Sequence, residues 1–313
     1  MKYKIFVDGS EGTTGLQINE RLGTRDDLTL IHIDPEKRKD MDERKLLLNS
    51  ADIVFLCLPD SAAKESVALI SNPSTKVIDA STAHRVNPKW CYGFPELSAE
   101  HREKIAKSHR VSVPGCYATG FISLMYPCIS MGMINADYPV TTHAVSGYSG
   151  GGKKLINQYQ TQFEERLETP QLYALGLSHK HIPEMKDICG LQYAPIFSPL
   201  VCNYYKGMSV CVPIHNRLLS KKYSVEDFHA SLENYYSKEG FVKVMPLGSE
   251  NLLPNNFINA NKVNDTNNIE IYVTGNDDQI MLTAVLDNLG KGSSGAAVQC
   301  MNIMLGLDES TGL

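Results

Sequence analysis

The chain has 313 residues, of which 21% are charged and 42% hydrophobic, and its formal net charge at pH 7 is -5. This length accommodates two ordinary domains, and the composition is typical of folded globular proteins rather than disordered or fibrous ones. The acidic balance argues against nucleic acid as a partner, because binding to phosphate backbones needs clustered positive charge. We therefore expect a small-molecule substrate.

The first part of the chain predicts an α/β domain. Short apolar runs, each typical of a buried strand, alternate with helical stretches as far as the sequence RVSVP at residues 110–114. Continuous apolar strands separated by helices are the pattern of parallel sheets with crossover helices. We therefore predict a doubly wound, Rossmann-like dinucleotide-binding domain over residues 1–116.

A glycine-rich loop follows the first predicted strand, in the sequence GSEGTTG at residues 9–15. Backbone amides at the start of a helix in this position can receive a pyrophosphate. The predicted cofactor-binding residues of this loop are Gly9, Ser10, Gly12, Thr13, Thr14 and Gly15. Asp34, at the predicted end of the second strand, favours NAD, whereas the basic residues 37–39 favour NADP, so the residues alone leave the choice open.

Cys116 follows a Pro-Gly pair and precedes a helix that we predict from about Ala118 to Met133. A thiol at a helix start lies near free backbone amides, which stabilise a thiolate and can also stabilise an oxyanion on an attacked carbonyl. Cysteine is more often buried and inert, which is our expectation for Cys57, Cys128, Cys189 and Cys300. We predict that Cys116 is a nucleophile.

The sequence LSHKHIPEM places His179 and His181 close to Glu184. A thiol nucleophile needs an acid or base partner, and in an extended segment His-x-His would put both rings on one face. The alternative is a basic cluster at the surface. No third soft ligand accompanies the pair, so we expect no metal site.

Residues 117–287 predict an α+β domain with a mixed sheet, and residues 269–286 within it read as a hairpin that turns at Asn276-Asp277. The long hairpin suggests a sheet that packs against another subunit, in a homodimer or homotetramer. Residues 288–313 form a glycine-rich turn followed by a helix with one apolar face, which we expect to complete the first domain.

The N-terminus lacks the apolar stretch of a signal peptide, and the longest apolar segment, residues 121–134, is too short to cross a bilayer. The eight cysteines include no Cys-x-x-Cys pair, so neither a zinc site nor a disulfide framework is indicated. We expect a cytoplasmic protein with free thiols and no membrane partner.

The chain resembles the short form of the N-acetyl-γ-glutamyl-phosphate reductases, within the semialdehyde dehydrogenase superfamily. The segments that carry the resemblance are GSEGTTG, DASTAHR, YGFPEL, VPGCYATG, SGYSGGGK, HKHIPE and DNLGKGSSGAAVQCMN. The resemblance implies NADPH-dependent reduction of N-acetyl-γ-glutamyl phosphate to the semialdehyde, with release of phosphate, in arginine biosynthesis.

The resemblance also implies roles for single residues. The acyl-accepting cysteine of the family falls on Cys116, and its catalytic histidine falls on His181 or His179. The turn that returns to NADP(H) falls on Asn288 and Gly290. Hydroxyls, cations and backbone amides suit a phosphorylated substrate, and the expected substrate-binding residues are Arg85, Ser146, Gly147, Lys153 and Glu184.

Three alternatives to this function stay open on the residues alone. Another acyl-phosphate reductase, of the aspartate or aminoadipate type, would share the mechanism and differ in the substrate pocket. A Cys-His hydrolase would use the same two side chains without a nucleotide, and a redox-sensing binding protein would use Cys116 without turnover.

Overall fold

The computed structural model describes residues 2–313, which form two units. The first unit holds the described residues up to Gly115 together with Ser293–Leu313, and the second unit holds Cys116–Gly292. The sequence placed these boundaries after Cys116 and before Asn288, whereas the structure assigns Cys116 and residues 288–292 to the second unit. The chain therefore enters the second unit at the predicted nucleophile.

The first unit contains a six-stranded parallel sheet with the strand order β2-β1-β3-β4-β6-β5. Its strands are β1 (Tyr3–Asp8), β2 (Leu28–Ile31), β3 (Ile53–Leu56), β4 (Lys76–Asp79), β5 (Cys91–Tyr92) and β6 (Arg110–Ser112). Its helices are α1 (Thr13–Gly23), α2 (Met41–Ser50), α3 (Asp60–Leu69), α4 (Ala99–Lys107) and α9 (Gly295–Leu305). This sheet confirms the predicted doubly wound domain.

The apolar side chains of this unit explain its order. Ile5, Ile53 and Phe55 on the central strands share one buried cluster with Val298 and Met301 of α9. Strands that are buried on both faces need continuous apolar runs, and these strands supply them. The C-terminal helix thus belongs to the core of the first unit.

The second unit contains a seven-stranded mixed sheet with the order β11-β12-β13-β10-β7-β9-β8. Its strands are β7 (Thr141–Gly147), β8 (Gln171–Leu172), β9 (Ile196–Cys202), β10 (Met208–His215), β11 (Val242–Val244), β12 (Ile269–Gly275) and β13 (Gln279–Leu286). Its helices are α5 (Cys116–Ser130), α6 (Gly152–Thr161), α7 (Ile182–Cys189) and α8 (Val225–Tyr236). The β7–β9 and β11–β12 pairs are parallel and the others antiparallel, which confirms the predicted mixed sheet.

Helix α5 packs closely on this sheet. A Cβ added to Gly120 would lie only 2.6 Å from Cγ2 of Val210 on β10, so a larger residue at position 120 would push the helix away. The helix tolerates Pro127 in its interior and begins two residues before the predicted start at Ala118. This close packing fixes the N-terminus of α5, where Cys116 lies.

The β12–β13 hairpin differs from its prediction by one residue. Gly275 pairs with Ile280, so the central residues of the turn are Asp277 and Asp278 rather than Asn276-Asp277. The Asn276 side chain accepts hydrogen bonds from the Asp278 and Gln279 amides at 3.0 and 3.1 Å. Asn276 therefore stabilises the turn from its first corner instead of occupying its centre.

Candidate functional site

The predicted nucleophile begins a helix. Cys116 is the first residue of α5, where the first amides have no carbonyl partner within the helix. Its side chain is partly exposed, whereas burial raises the pKa of the Cys57, Cys128 and Cys189 thiols, that of Cys128 to about 12. Exposure distinguishes Cys116 from Cys128 and Cys189, and its position at a helix start distinguishes it from half-buried Cys57; the raised pKa values keep these three other thiols protonated at neutral pH.

A cluster of aromatic and imidazole rings stands beside Cys116. The Tyr117 ring centroid lies 5.7 Å from that of His179 and 5.9 Å from that of His181, and the two imidazoles are 4.7 Å apart. Burial raises the pKa of Tyr117 and Tyr173, and the charge of Cys116 raises both further. The second unit thus brings the thiol, both tyrosine hydroxyls and both histidines together.

The two histidines meet through a turn and not through an extended segment, so the geometry that we predicted for them is wrong. His181 caps the N-terminus of α7 in a helical conformation, and its amide donates to Nδ1 of His179 at 3.1 Å. Nε2 of His179 lies 3.5 Å from the Tyr173 hydroxyl. His181 and Glu184 are buried, with 5% and 1% of their surfaces exposed, whereas His179 is half-buried.

Two of the predicted substrate-binding residues, Ser146 and Gly147, end β7, and a third, Lys153, lies in the helix α6 that follows. The Ser146 side chain lowers the pKa of Tyr117 against the larger effect of burial, which indicates that Ser146 lies near the ring cluster. A Cβ added to Gly147 would lie 2.6 Å from the Tyr205 carbonyl oxygen, so glycine allows two loops to pack there. Lys153 lies in the first turn of α6 with an exposed side chain.

Two positions in the glycine-rich loop of the first unit leave no room for a side chain. Gly9 has a φ of +89°, and a Cβ there would lie 2.4 Å from the Cys57 carbonyl oxygen. A Cβ on Gly15 would lie equally close to the Gly9 carbonyl oxygen, at 2.4 Å. The Thr14 hydroxyl contacts the Ser293 hydroxyl at 3.0 Å, within the same unit. These contacts hold the turn tightly between β1 and α1.

The start of α1 fits a dinucleotide phosphate. Gly12 caps the helix without a side-chain hydrogen bond, and a Cβ added there would make only ordinary van der Waals contacts, the nearest at 3.5 Å from the Gly9 carbonyl oxygen. The Thr13 hydroxyl is buried and has no hydrogen-bond partner among residues 2–313. A buried hydroxyl beside free helix amides is suited to a phosphate oxygen.

Asp34 lies in a short turn beyond β2, which ends at Ile31, rather than at the end of the strand as predicted. Its carboxylate accepts a hydrogen bond from the Glu36 amide at 3.0 Å. The basic residues 37–39 that follow are exposed, and Lys37 makes a long ion pair with Glu43 at 3.6 Å. The acidic side chain is thus held by its own turn, while cations remain at the surface.

The other predicted residues are held by contacts within their own units. Nε of Arg85, in the first unit, donates to the Val113 carbonyl at 2.9 Å, in the segment that leads to Cys116. The Asn288 side chain, in the second unit, accepts from the Gly207 amide at 2.8 Å and donates to the Ser149 hydroxyl at 3.0 Å. Gly290 lies against the loop at Thr266, whose carbonyl oxygen would be 2.4 Å from an added Cβ.

Tyr117 and Tyr173 were not identified from the sequence. Tyr117 directly follows the nucleophile, and this position was a usable signal, since an aromatic ring there must lie near the thiol. No local pattern marks Tyr173. Among residues 2–313, no group of three or more His, Cys, Asp or Glu side chains could hold a metal ion, and no helix is long and apolar enough to span a membrane.

The chain matches two families along its length. Residues 5–105 match the semialdehyde dehydrogenase NAD binding domain, and residues 116–288 match the semialdehyde dehydrogenase dimerisation domain. The two matches correspond to the parallel-sheet and mixed-sheet units described above.

Curated relatives match the chain over its full length. The N-acetyl-gamma-glutamyl-phosphate reductase 2 of Nostoc sp. is 48% identical and the alignment covers 100% of this chain and 99% of the relative. The N-acetyl-gamma-glutamyl-phosphate reductase 2 of Pseudomonas putida is 46% identical, with 98% of each chain covered. Aspartate semialdehyde dehydrogenase II from Vibrio cholerae shares the fold, with a TM-score of 0.74, 15% identity, and coverage of 98% of this chain and 99% of the other.

Proposed function

Because the chain belongs to the semialdehyde dehydrogenase family, as an N-acetyl-gamma-glutamyl-phosphate reductase of arginine biosynthesis, we propose that the Cys116 thiolate is the nucleophile of its reaction. The observation that carries this proposal is the position of Cys116 at the start of α5, partly exposed and next to the two histidines through Tyr117.

In the first step, the Cys116 sulfur attacks the acyl carbon of N-acetyl-γ-glutamyl phosphate. A carbon–sulfur bond forms, the acyl carbon–oxygen bond breaks and inorganic phosphate leaves, so that the acyl group stays on Cys116 as a thioester. The first amides of α5, from Tyr117 and Ala118, stabilise the oxyanion that develops on the carbonyl oxygen. The thioester holds the substrate in place for reduction.

When bound, NADPH would supply the hydride that reduces the thioester. A protonated histidine donates a hydrogen bond to the resulting oxyanion, and the carbon–sulfur bond then breaks to release the semialdehyde and restore the thiolate. We assign this role to His181, because its ring is buried near that of Tyr117 and it is the residue immediately before α7. We assign substrate orientation to His179 and orientation of the His181 ring to the buried Glu184.

The first unit is an NAD(P)-binding domain. We assign the pyrophosphate to the loop at residues 9–15, supported by the start of α1 at Gly12, which has no side-chain cap, and by the buried Thr13 hydroxyl. We propose that NADP(H) is the natural form, because Asp34 is held by its own turn while the cations at 37–39 are exposed. Asn288 and Gly290 stay proposed cofactor contacts.

For the substrate, we propose contacts from Arg85, Ser146, Gly147 and Lys153. Ser146 has the strongest support, since it is buried at the end of β7 and its side chain lowers the pKa of Tyr117. The dimerisation-domain match supports a homodimer or homotetramer, which light scattering in solution would measure. We place the reaction in the cytoplasm, where free thiols stay reduced.

The reverse reaction tests this function. If phosphate releases the acyl group from Cys116, steady turnover needs N-acetylglutamate semialdehyde, NADP⁺ and inorganic phosphate together. Without phosphate, NADPH formation should stop after one equivalent per active site. Steady turnover without phosphate would indicate an ordinary water-using aldehyde dehydrogenase and would contradict the proposal.

Aspartate semialdehyde is the matched control substrate, because it has a shorter chain and lacks the acetamido group. A pocket that hydrogen-bonds the amide should reject it by about 10³-fold or more in kcat/KM. Equal phosphate-dependent rates with both aldehydes would retain the chemistry and overturn the substrate assignment.

A further inference from the structure

The turn formed by residues 287–292 lies directly against the proposed nucleophile. A Cβ added to Gly292 would lie 2.8 Å from Cβ and 3.3 Å from Cα of Cys116. Carbon atoms in contact are normally about 3.5–4.0 Å apart, so no side chain fits between the two residues. The backbone at Gly292 therefore forms one wall of the space that the Cys116 side chain occupies.

This turn is held in place by the buried carboxylate of Asp287. Its Oδ1 accepts from the Leu289 amide at 2.9 Å, and its Oδ2 accepts from the Asp265 amide at 2.8 Å. The Asp287 carbonyl oxygen accepts from the Gly292 amide at 2.9 Å, which closes the turn. Only 2% of Asp287 is exposed, and the Lys206 ammonium 4.0 Å away offsets its charge.

The turn also has no room to move away from Cys116. A Cβ on Gly290 would lie 2.4 Å from the Thr266 carbonyl oxygen, so the backbone at Gly290 is already in close contact with a neighbouring loop. A π-helical turn, Gly290–Ser294, continues from this point. Such turns are rare and are frequently found at functional sites. The position of Gly292 is thus fixed by hydrogen bonds at Asp287 and by packing at Gly290.

We propose that the 287–292 turn is a positioning element for the Cys116 thiolate, in which Gly292 determines where the side chain lies and Asp287 holds Gly292 in place. This role rests on the proposed function of Cys116 as nucleophile. Attack requires the reacting atoms to be about 3–3.5 Å apart in line, and a displacement of about 1 Å can reduce the rate by about 10²-fold.

The test compares Gly292→Ala with Gly240→Ala, a control glycine that has no atom within 4 Å of an added Cβ. In the phosphate-dependent reverse reaction, we expect Gly292→Ala to lower kcat by about 10–10²-fold and to leave the KM for NADP⁺ within about twofold. The rate of Cys116 alkylation by iodoacetamide, measured as a function of pH, should change as well. Gly240→Ala should match the wild type in every measurement.

A second comparison keeps the proposal testable even if Gly292→Ala folds poorly. Cys116→Gly removes the Cβ that an alanine at position 292 would meet. The loss of melting temperature caused by Gly292→Ala should therefore be clearly smaller in the Cys116→Gly background, because the nearest atom to the added Cβ is then absent and residues in contact show such coupling. An equal loss in both backgrounds would overturn the proposed contact.

These measurements separate the positioning role from the function on which it rests. If Cys116→Ala retained turnover, the proposed nucleophile would be wrong, whatever Gly292→Ala did. If Cys116→Ala were inactive while Gly292→Ala kept the wild-type kcat and alkylation profile, the positioning role alone would be overturned.

Discussion

Replacing Gly9 with alanine should damage both the stability of the first unit and its affinity for NADPH. The φ of +89° at Gly9 costs an L-amino acid about 1–2 kcal/mol. The added Cβ would also lie 2.4 Å from the carbonyl oxygen and 2.8 Å from the carbonyl carbon of Cys57, and overpacking of this kind typically costs about 1–3 kcal/mol. We therefore expect a total loss of about 2–5 kcal/mol in the free energy of unfolding.

The clash cannot be relieved without moving the glycine loop, because β1 and β3 are paired neighbours in the sheet and Cys57 directly follows β3. The displaced α1 N-terminus should then weaken NADPH binding by about tenfold or more, or about 1.4 kcal/mol.

Urea unfolding and a fluorescence titration with NADPH measure the two effects. Gly23→Ala is the matched control, since Gly23 ends α1 with no atom within 4 Å of an added Cβ. In that variant the free energy of unfolding should be unchanged or rise by up to about 1 kcal/mol, because glycine destabilises a helix relative to alanine. Wild-type stability and NADPH affinity in Gly9→Ala would refute the reasoning about this loop.

Three further predictions concern titratable side chains. His181→Asn should lower kcat by about 10²–10⁴-fold, whereas His179→Asn should mainly raise the KM for the aldehyde; steady-state kinetics showing the reverse would exchange their roles. Arg44→Met should lower the free energy of unfolding by about 3–5 kcal/mol, because the buried Asp8 carboxylate, 3.0 Å from the guanidinium in the wild type, loses its ion-pair partner. An unchanged midpoint of urea unfolding would contradict this. Burial lowers the pKa of His101 below its usual 6.5. The neutral ring therefore contributes stability above about pH 6.5, and this contribution is lost as the pH falls through the lower pKa of the folded state. His101→Gln should flatten the dependence of the unfolding free energy on pH in this range.

The sequence predicted the sheets better than the helices between them. Runs such as IVFL in β3 are buried on both faces, so their apolar character is continuous and easy to recognise. Helices α2 and α4 carry little apolar pattern, because only Arg44 and Leu48 of α2, and only Ile105 of α4, are buried. Their caps were better signals, since Asp40 and Ser98 each accept hydrogen bonds from amides of the first turn.

Local chemistry explains the errors in the two turns. An Asn-Asp pair fits the centre of a hairpin turn, but the Asn276 side chain bonds two amides beyond it and shifts the centre to Asp277-Asp278. The pattern His-x-His has an extended and a helix-capping interpretation, and the Pro183 that follows favours the start of a helix. The rings meet in either case, but through different backbone geometry.

The residues of the candidate site also fall into two groups, those that a local sequence pattern marks and those that only contacts distant along the chain bring in. Cys116 could be proposed from the sequence as the nucleophile because the argument for it rests on a local feature, the start of a helix after Pro-Gly. Tyr173 and Gly292 were not identified, because their importance comes from contacts with residues distant along the chain, the His179 ring and the Cys116 Cβ. Such contacts are set by the packing of the second unit, which no local pattern specifies.

The most direct test of the account is the intact mass of the protein after incubation with N-acetylglutamate semialdehyde and NADP⁺ in the absence of phosphate. The wild type should gain one acyl group, mapped to Cys116 by peptide sequencing, with one equivalent of NADPH formed. Cys116→Ala should bind NADP⁺ normally and gain no mass. An adduct that persists in Cys116→Ala on another of the eight cysteines would show that the nucleophile lies elsewhere.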